Sequence, residues 1–204
     1  MKKIIGMGLA TVLCMGALTG CAEKTEVQES TVFIEKKGEI VSVDVENLDK
    51  DYYDAAELEA YIDGHVTDYA AENGENVTKE SFSVEEGIAK LEMKYASCED
   101  YSAFNGIELF DGSIVAAQAE GYDFDTEFYS VTEDAGVGQA AGKEEVLADD
   151  ENKVAIIRAN VAVQVKGKIL YVSAQNTEVT GKNSVRITGE GANEEAALTY
   201  IIYK

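Results

Sequence analysis

The stretch DAAELEAYIDGHVTDYAAENGENVTKESFSVEEGIAKLEMKYA, residues 54–96, contains both of the periodicities that the fold must reconcile. Asp54 followed by Glu57 has the form of a helix N-cap with the acidic third residue of a capping box. Leu58, Ile62, Val66 and Tyr69 then fall on one helical face, and Asn73-Gly74 supplies a stop. Past that stop the period becomes two. Ser81 to Val84 and Ile88 to Ala96 read as a hairpin over Glu85-Glu86-Gly87, in which Ala89, Leu91, Met93 and Tyr95 alternate with Lys90, Glu92 and Lys94. A sheet with one wet face produces that alternation.

Upstream, Thr31 to Lys36 and Glu39 to Glu46 predict a second hairpin around Lys37-Gly38, and Asn47 to Tyr53 is an acidic connection. Downstream, Ser97 caps a short helix with Tyr101 and Phe104 inward, closed by Asn105-Gly106. Ile107 to Phe110 reads as a strand and Ser113 to Glu120 as a short apolar helix. Residues 132–152 are rich in Gly, Ala and acid with weak periodicity, so a flexible loop or domain joint is expected there. From Lys153 onward strands dominate: Val154 to Ala159, Val161 to Val165, Ile169 to Ser173, Glu178 to Thr180, Val185 to Thr188 and Leu198 to Tyr203. The last is apolar on both faces and reads as a central strand. Mixed helices and strands followed by a strand-rich end predict an α+β fold with largely antiparallel sheet over residues 31–204. No internal repeat is visible, and with no proline in the chain none marks a linker.

The N-terminus has a different character. Lys2 and Lys3 precede an uncharged run from Ile4 to Leu18 and the small residues Thr19 and Gly20, the layout of an export signal over residues 1–20. A permanent membrane span needs about 20 mainly apolar residues, and here the run is diluted by Gly6, Gly8, Gly16 and Gly20. Leu18-Thr19-Gly20-Cys21 resembles the lipobox of bacterial lipoproteins. The resemblance implies that the Cys21 thiol receives a diacylglyceryl group, that cleavage occurs just before it, and that Cys21 becomes the N-terminus. Two acyl chains give a stable anchor where one is marginal. Ala22 to Ser30 is polar and reads as a tether with at most about 30 Å of reach.

Cleavage would lower the 17 basic residues to 15 against 39 acidic ones, a net charge of −24. Such a body repels nucleic acid and anionic headgroups, so the lipid must anchor it unaided and no nucleic-acid partner is expected. Of three cysteines, Cys14 leaves with the signal and Cys21 carries lipid, so Cys98 has no partner for an intrachain disulfide.

Several residues suggest chemistry. Cys98 falls in the first turn of its helix, where backbone N–H groups lower a thiol's pKa, and His65 is the only histidine able to act as its base. Cell-wall peptidases of the NlpC/P60 type use such a pair. Their Asp-Cys-Ser-Gly signature is absent, however, and the local run is Ser97-Cys98-Glu99-Asp100, whose carboxylates oppose a thiolate. Cys98 shares a helical face with Tyr101 and Phe104 and reads as a small buried residue. His65 reads as a helix-boundary residue. Asp49-Lys50-Asp51 with Asp54 fails as a calcium loop, because Asp54 and Ala60 stand where Gly and Glu are needed. Asp123, Asp125 and Glu127 could line one side of a strand and hold a cation, although a solvated face looks the same. Gly136-Val137-Gly138-Gln139-Ala140-Ala141 formally matches a dinucleotide fingerprint but follows no apolar strand, and Gly142-Lys143-Glu144 lacks the Ser or Thr of a phosphate loop. Tyr52, Tyr53, Tyr122 and Tyr129 could form an aromatic platform, against ordinary packing.

Phe104-Asn105-Gly106 and the Lys50 to Asp54 helix entry resemble features of small uncharacterised lipoproteins of Gram-positive bacteria, a resemblance that implies no activity. The expectation is a non-enzymatic binding or scaffolding protein of the cell envelope, held at the extracytoplasmic face by lipid on Cys21, with an envelope protein or ligand as partner. No catalytic residue, metal or cofactor is assigned. A Cys98–His65 hydrolase of wall peptides is the alternative, and a solute receptor is disfavoured because such receptors need two larger lobes.

Overall fold

The computed structural model describes residues 27–48, 50, 53–173, 176–189 and 196–204. The signal, Cys21, Asp49, Asp51 and Tyr52 lie outside the described residues. β1 (Thr31–Ile34) and β2 (Ile40–Asn47) pair antiparallel around the turn Lys36–Gly38, with Ile34 opposite Ile40. α1 (Ala55–Asn73) starts where the sequence places it: the Asp54 carboxylate accepts from the N–H groups of Ala56 at 2.8 Å and Glu57 at 3.1 Å. It stops at Gly74, whose φ of +84° is open to a residue without a Cβ.

β3 (Val77–Glu85) and β4 (Ile88–Tyr95) form the expected hairpin, but β3 begins at Val77 rather than Ser81. The pairing register shifts between Lys79 and Ser81, which breaks the alternation that would have revealed the first half of the strand. α2 (Cys98–Asn105) is capped by Ser97, whose hydroxyl accepts from the Asp100 N–H at 3.1 Å, and closed by left-handed Gly106. β5 (Leu109–Ser113) and α3 (Ile114–Ala119) follow, the latter capped by Ser113.

The segment expected as a flexible loop carries structure. β6 (Phe128–Val131), not anticipated from sequence, pairs with β7 (Val137–Ala141), and α4 (Lys143–Val146) follows. The small residues of β7 are there because two strands approach closely: a Cβ on Gly138 would lie 2.5 Å from the Ser130 hydroxyl, which itself bonds the Gln139 N–H at 3.0 Å. β8 (Lys153–Ile157), β9 (Ala162–Val165), β10 (Ile169–Ser173), β11 (Thr177–Gly181), β12 (Ser184–Ile187) and β13 (Thr199–Tyr203) complete the strand-rich end.

The described strands form a seven-stranded sheet, β11-β12-β9-β1-β2-β4-β3, and a six-stranded sheet, β5-β8-β13-β10-β6-β7. Every described pairing is antiparallel except β1 with β9. This is the expected α+β fold with largely antiparallel sheet. β13 is central and buried along its whole length.

The two sheets meet through one core, in which Val32, Ile34, Met93 and Tyr95 of the larger sheet join Ile157, Val172 and Ile201 of the smaller. A second core covers the far side of the smaller sheet, where Ile156, Tyr200 and Ile202 pack under Ile114, Phe124, Phe128 and Val146. The smaller sheet is therefore a middle layer, and its strands β8 and β13 are apolar and buried on both faces for that reason. α1 lies against β3 with Ile62, Val66 and Tyr69 half-buried toward the first core, and none of its side chains is fully buried. Among the described residues no helix is long and apolar enough to cross a membrane.

Candidate functional site

The functional candidate is a groove of about 670 Å³ at the side of the second core, bounded by α2, β5, the loop after α3 and β13. Each wall is positioned by local chemistry. On α2, Cys98 and Tyr101 turn inward, which leaves Glu99 and Ser102, also three residues apart, on the groove side. The Ser102 hydroxyl accepts from the Leu109 N–H at 3.0 Å, fixing α2 to the start of β5. α3 ends in a turn at Gly121, φ +100°, where the Gly121 N–H reaches Gln118 O and the Tyr122 N–H reaches Ala117 O, each at 3.1 Å. That turn brings Tyr122 back across the sheet.

The floor is aromatic. The Tyr122 ring lies 5.4 Å from Phe110 and 6.4 Å from Tyr200, the latter edge to face. Around this floor stand Glu99, Glu108, Glu120 and Asp123. Glu108 is paired with Arg158 at 3.0 Å. Among the described residues no cation is paired with Glu99, Glu120 or Asp123. Burial, reinforced by the charge of Glu108 and a hydrogen bond to it, pushes the Tyr122 phenol up to about 12. Burial and the charge of Asp123 likewise raise Tyr200. Both phenols therefore stay protonated at neutral pH. A groove of this size is within the range of small-molecule sites, and carboxylates lining a groove beside aromatic rings suit an organic cation with an apolar body.

The Cys98–His65 pair is not assembled. Cys98 is buried, and burial together with Asp111 and Glu99 raises its thiol to about 12, far from a nucleophile's range. His65 is exposed instead, its ring 4.3 Å from that of Phe104 and its Nε2 3.3 Å from the Phe104 carbonyl. Phe104 is six residues beyond Cys98 on α2, about 9 Å along the axis.

Asp54 serves as the helix cap, and Asp125 pairs with Lys143 while its N–H donates to Asp123. Among the described residues no group of three or more His, Cys, Asp or Glu is placed to hold a metal ion. Residues 137–141 of the formal dinucleotide match are strand β7, and Gly142-Lys143-Glu144 opens α4. Of the tyrosines grouped by sequence, Tyr122 enters the groove, Tyr129 sits on β6 and Tyr53 is exposed elsewhere. The groove's true neighbours of Tyr122, Phe110 and Tyr200, are distant in sequence from one another, and no local pattern joins them.

Two buried polar clusters also escaped sequence reasoning. The Asp111 carboxylate, its side chain 3% exposed, pairs with Lys153 at 2.6 Å and accepts from the Tyr203 hydroxyl. Asp44 accepts from Ser42 at 3.1 Å, and Ser42 lies 3.4 Å from the Tyr95 hydroxyl. Comparison with protein-family models, with curated proteins and with solved structures finds no match for the chain.

Proposed function

We propose that this is an extracytoplasmic lipoprotein, anchored in the cell membrane by a diacylglyceryl group on Cys21, that works by binding rather than by catalysis. Its ligand is a small organic cation with an apolar body, seated in the groove between α2 and β13. The observation that carries the binding half is the set of three carboxylates, Glu99, Glu120 and Asp123, that have no cationic partner among the described residues and stand around the ring floor of Phe110, Tyr122 and Tyr200. The anchor half is supported by the Leu18 to Cys21 sequence.

The energetics favour a cation over other ligands. A small anion would meet like charge at each carboxylate, and a neutral apolar ligand would leave those charges to be desolvated without a partner. An ammonium group satisfies them, and its hydrocarbon body covers the rings. The hydrolase alternative loses support because its two groups lie in separate environments.

Calorimetric titration with 2-phenylethylamine tests this. The wild-type chain is expected to bind the amine more tightly than the neutral isostere 2-phenylethanol, with affinity falling as salt is added. A Glu99→Gln/Glu120→Gln/Asp123→Asn chain is expected to lose at least about tenfold, which is about 1.4 kcal/mol. Equal binding of amine and alcohol, or an unchanged affinity in the triple variant, would refute the assignment.

A further inference from the structure

In a chain with 39 acidic and 17 basic residues, unpaired cations are conspicuous. Among the described residues, Lys79, Lys94, Lys143, Lys153, Arg158, Lys166, Lys168, Arg186 and Lys204 each contact a carboxylate. Lys90 donates to the Val27 carbonyl at 2.8 Å, and Lys50 is also engaged. Lys36, Lys37 and Lys182 form no ion pair among the described residues, although, behind the hydrogen bond from Lys168, the charge of Lys182 helps to hold the Glu133 carboxyl low.

Topology brings these three to one end of the molecule. β1 runs from Thr31 to the turn at Lys36–Gly38. β9 is parallel to it, with Ile34 opposite Val165, so the Lys166-Gly167-Lys168 turn lies at the same end. β12 is antiparallel to β9, with Ser184 opposite Gln164, and delivers Lys182-Asn183 there as well. The Ile169 N–H reaches Lys182 O and the Val165 N–H reaches Asn183 O, each at 2.9 Å, which ties the turns together. Gly167 permits the closeness, since a Cβ there would lie 2.4 Å from Lys204 O. Lys36, Lys166, Lys168 and Lys182 line a shallow basin of about 500 Å³, in which the single acid is Glu133, already bonded to Lys168.

We propose that this lysine end is a docking surface for a linear, phosphodiester-bearing polyanion of the envelope. The overall negative charge does not prevent it, because charges more than about 8 Å away are largely screened at physiological salt. Of the charged residues that line the basin, four are lysines and one is an acid. Three ammonium groups on two separate turns call for a ligand that presents several charges along its length, which a single small anion does not. Lysine binds phosphate oxygens as a compact point charge.

The position of the face disfavours the anchoring bilayer as its partner. The chain enters the body at the opposite end, where Glu29 grips Arg186 through two bonds of 2.7 Å and Ser30 bonds Val45. From Thr31 to Lys36, at about 3.3 Å per residue, the lysines lie on the order of 15 Å beyond that entry. Their orientation relative to the membrane rests on the Cys21 anchor, whereas their clustering does not.

The test is binding of fluorescent poly(glycerol phosphate) to the full lipidated chain in nonionic detergent. Binding that weakens with salt, and at least about tenfold weaker binding by the Lys36→Ala/Lys37→Ala/Lys182→Ala chain, is expected. A Lys79→Ala/Lys94→Ala/Lys143→Ala chain, with the same net charge, is expected to bind as the wild type does. The lysine-end variant is expected to retain 2-phenylethylamine binding, which separates this surface from the groove. The proposal fails if the polymer does not bind at low salt, if both triple variants lose affinity equally, or if polyglutamate binds as tightly. It also fails if phosphatidylglycerol vesicles compete through the same three lysines, since a membrane surface would then be the partner.

Discussion

Asp44 and Asp111 are carboxylates placed where few carboxylates go, and they have different consequences. Burial raises the pKa of Asp44 despite the Ser42 hydrogen bond, and the nearby charge of Glu46 adds to the effect. A carboxyl with a raised folded-state pKa favours folding at low pH and gives up that contribution as pH rises through the folded value. Asp44→Asn is therefore expected to be more stable than wild type at pH 7. Its advantage should shrink on acidification and vanish below about 3.9, the ordinary aspartate value. Urea melts of both chains between pH 3 and pH 8 measure it, and an advantage that grows toward low pH would contradict this account. Asp111 instead satisfies a buried partner. Asp111→Ala strands the Tyr203 hydroxyl, while half-exposed Lys153 turns to water, so a loss of about 2 kcal/mol is expected in denaturant unfolding. A loss within experimental error would mean that the Tyr203 hydroxyl finds another acceptor.

Elements whose signals are local were legible, and those made by distant pairing were not. The caps of α1 and α2 and the position of β13 follow from their own residues, because a capping carboxylate or an apolar run acts within a turn or a strand. β7 was hidden because small residues chosen for close approach to Ser130 resemble loop composition. The start of β3 was hidden by its shifted register. The groove was less legible still: Tyr122 and Asp123 drew notice individually, but Glu99, Phe110 and Tyr200 join them only through packing on the middle sheet. That sheet depends on β13, which pairs with both β8 and β10 and contributes to both cores. Deleting Tyr200 to Lys204 is expected to abolish cooperative thermal unfolding, as followed by circular dichroism. A truncated chain with an unchanged melting temperature would remove β13 from its central role.

At the scale of the whole molecule, the body has two distinct ends. Val27 to Ser30 is fixed to one end of the larger sheet by Lys90, Arg186 and Val45, so part of the stretch read as tether already belongs to the body. Any pull through Cys21 would reach the fold along β1, which is bonded on both sides, to β2 and to β9. The lysine-bearing turns lie at the end opposite that attachment, and the groove opens from a different layer. A body of this net charge has no electrostatic reason to stay at an anionic bilayer, so the proposed placement would depend on acyl chains alone.

Intact-mass analysis of the membrane-extracted protein, alongside fractionation of a Cys21→Ala chain, tests that dependence most directly. A mature N-terminus at Cys21 carrying a diacylglyceryl adduct, and loss of the variant from the membrane fraction, is the predicted result. An unmodified Cys21, or a variant that sediments with membranes as fully as wild type, would contradict the anchor.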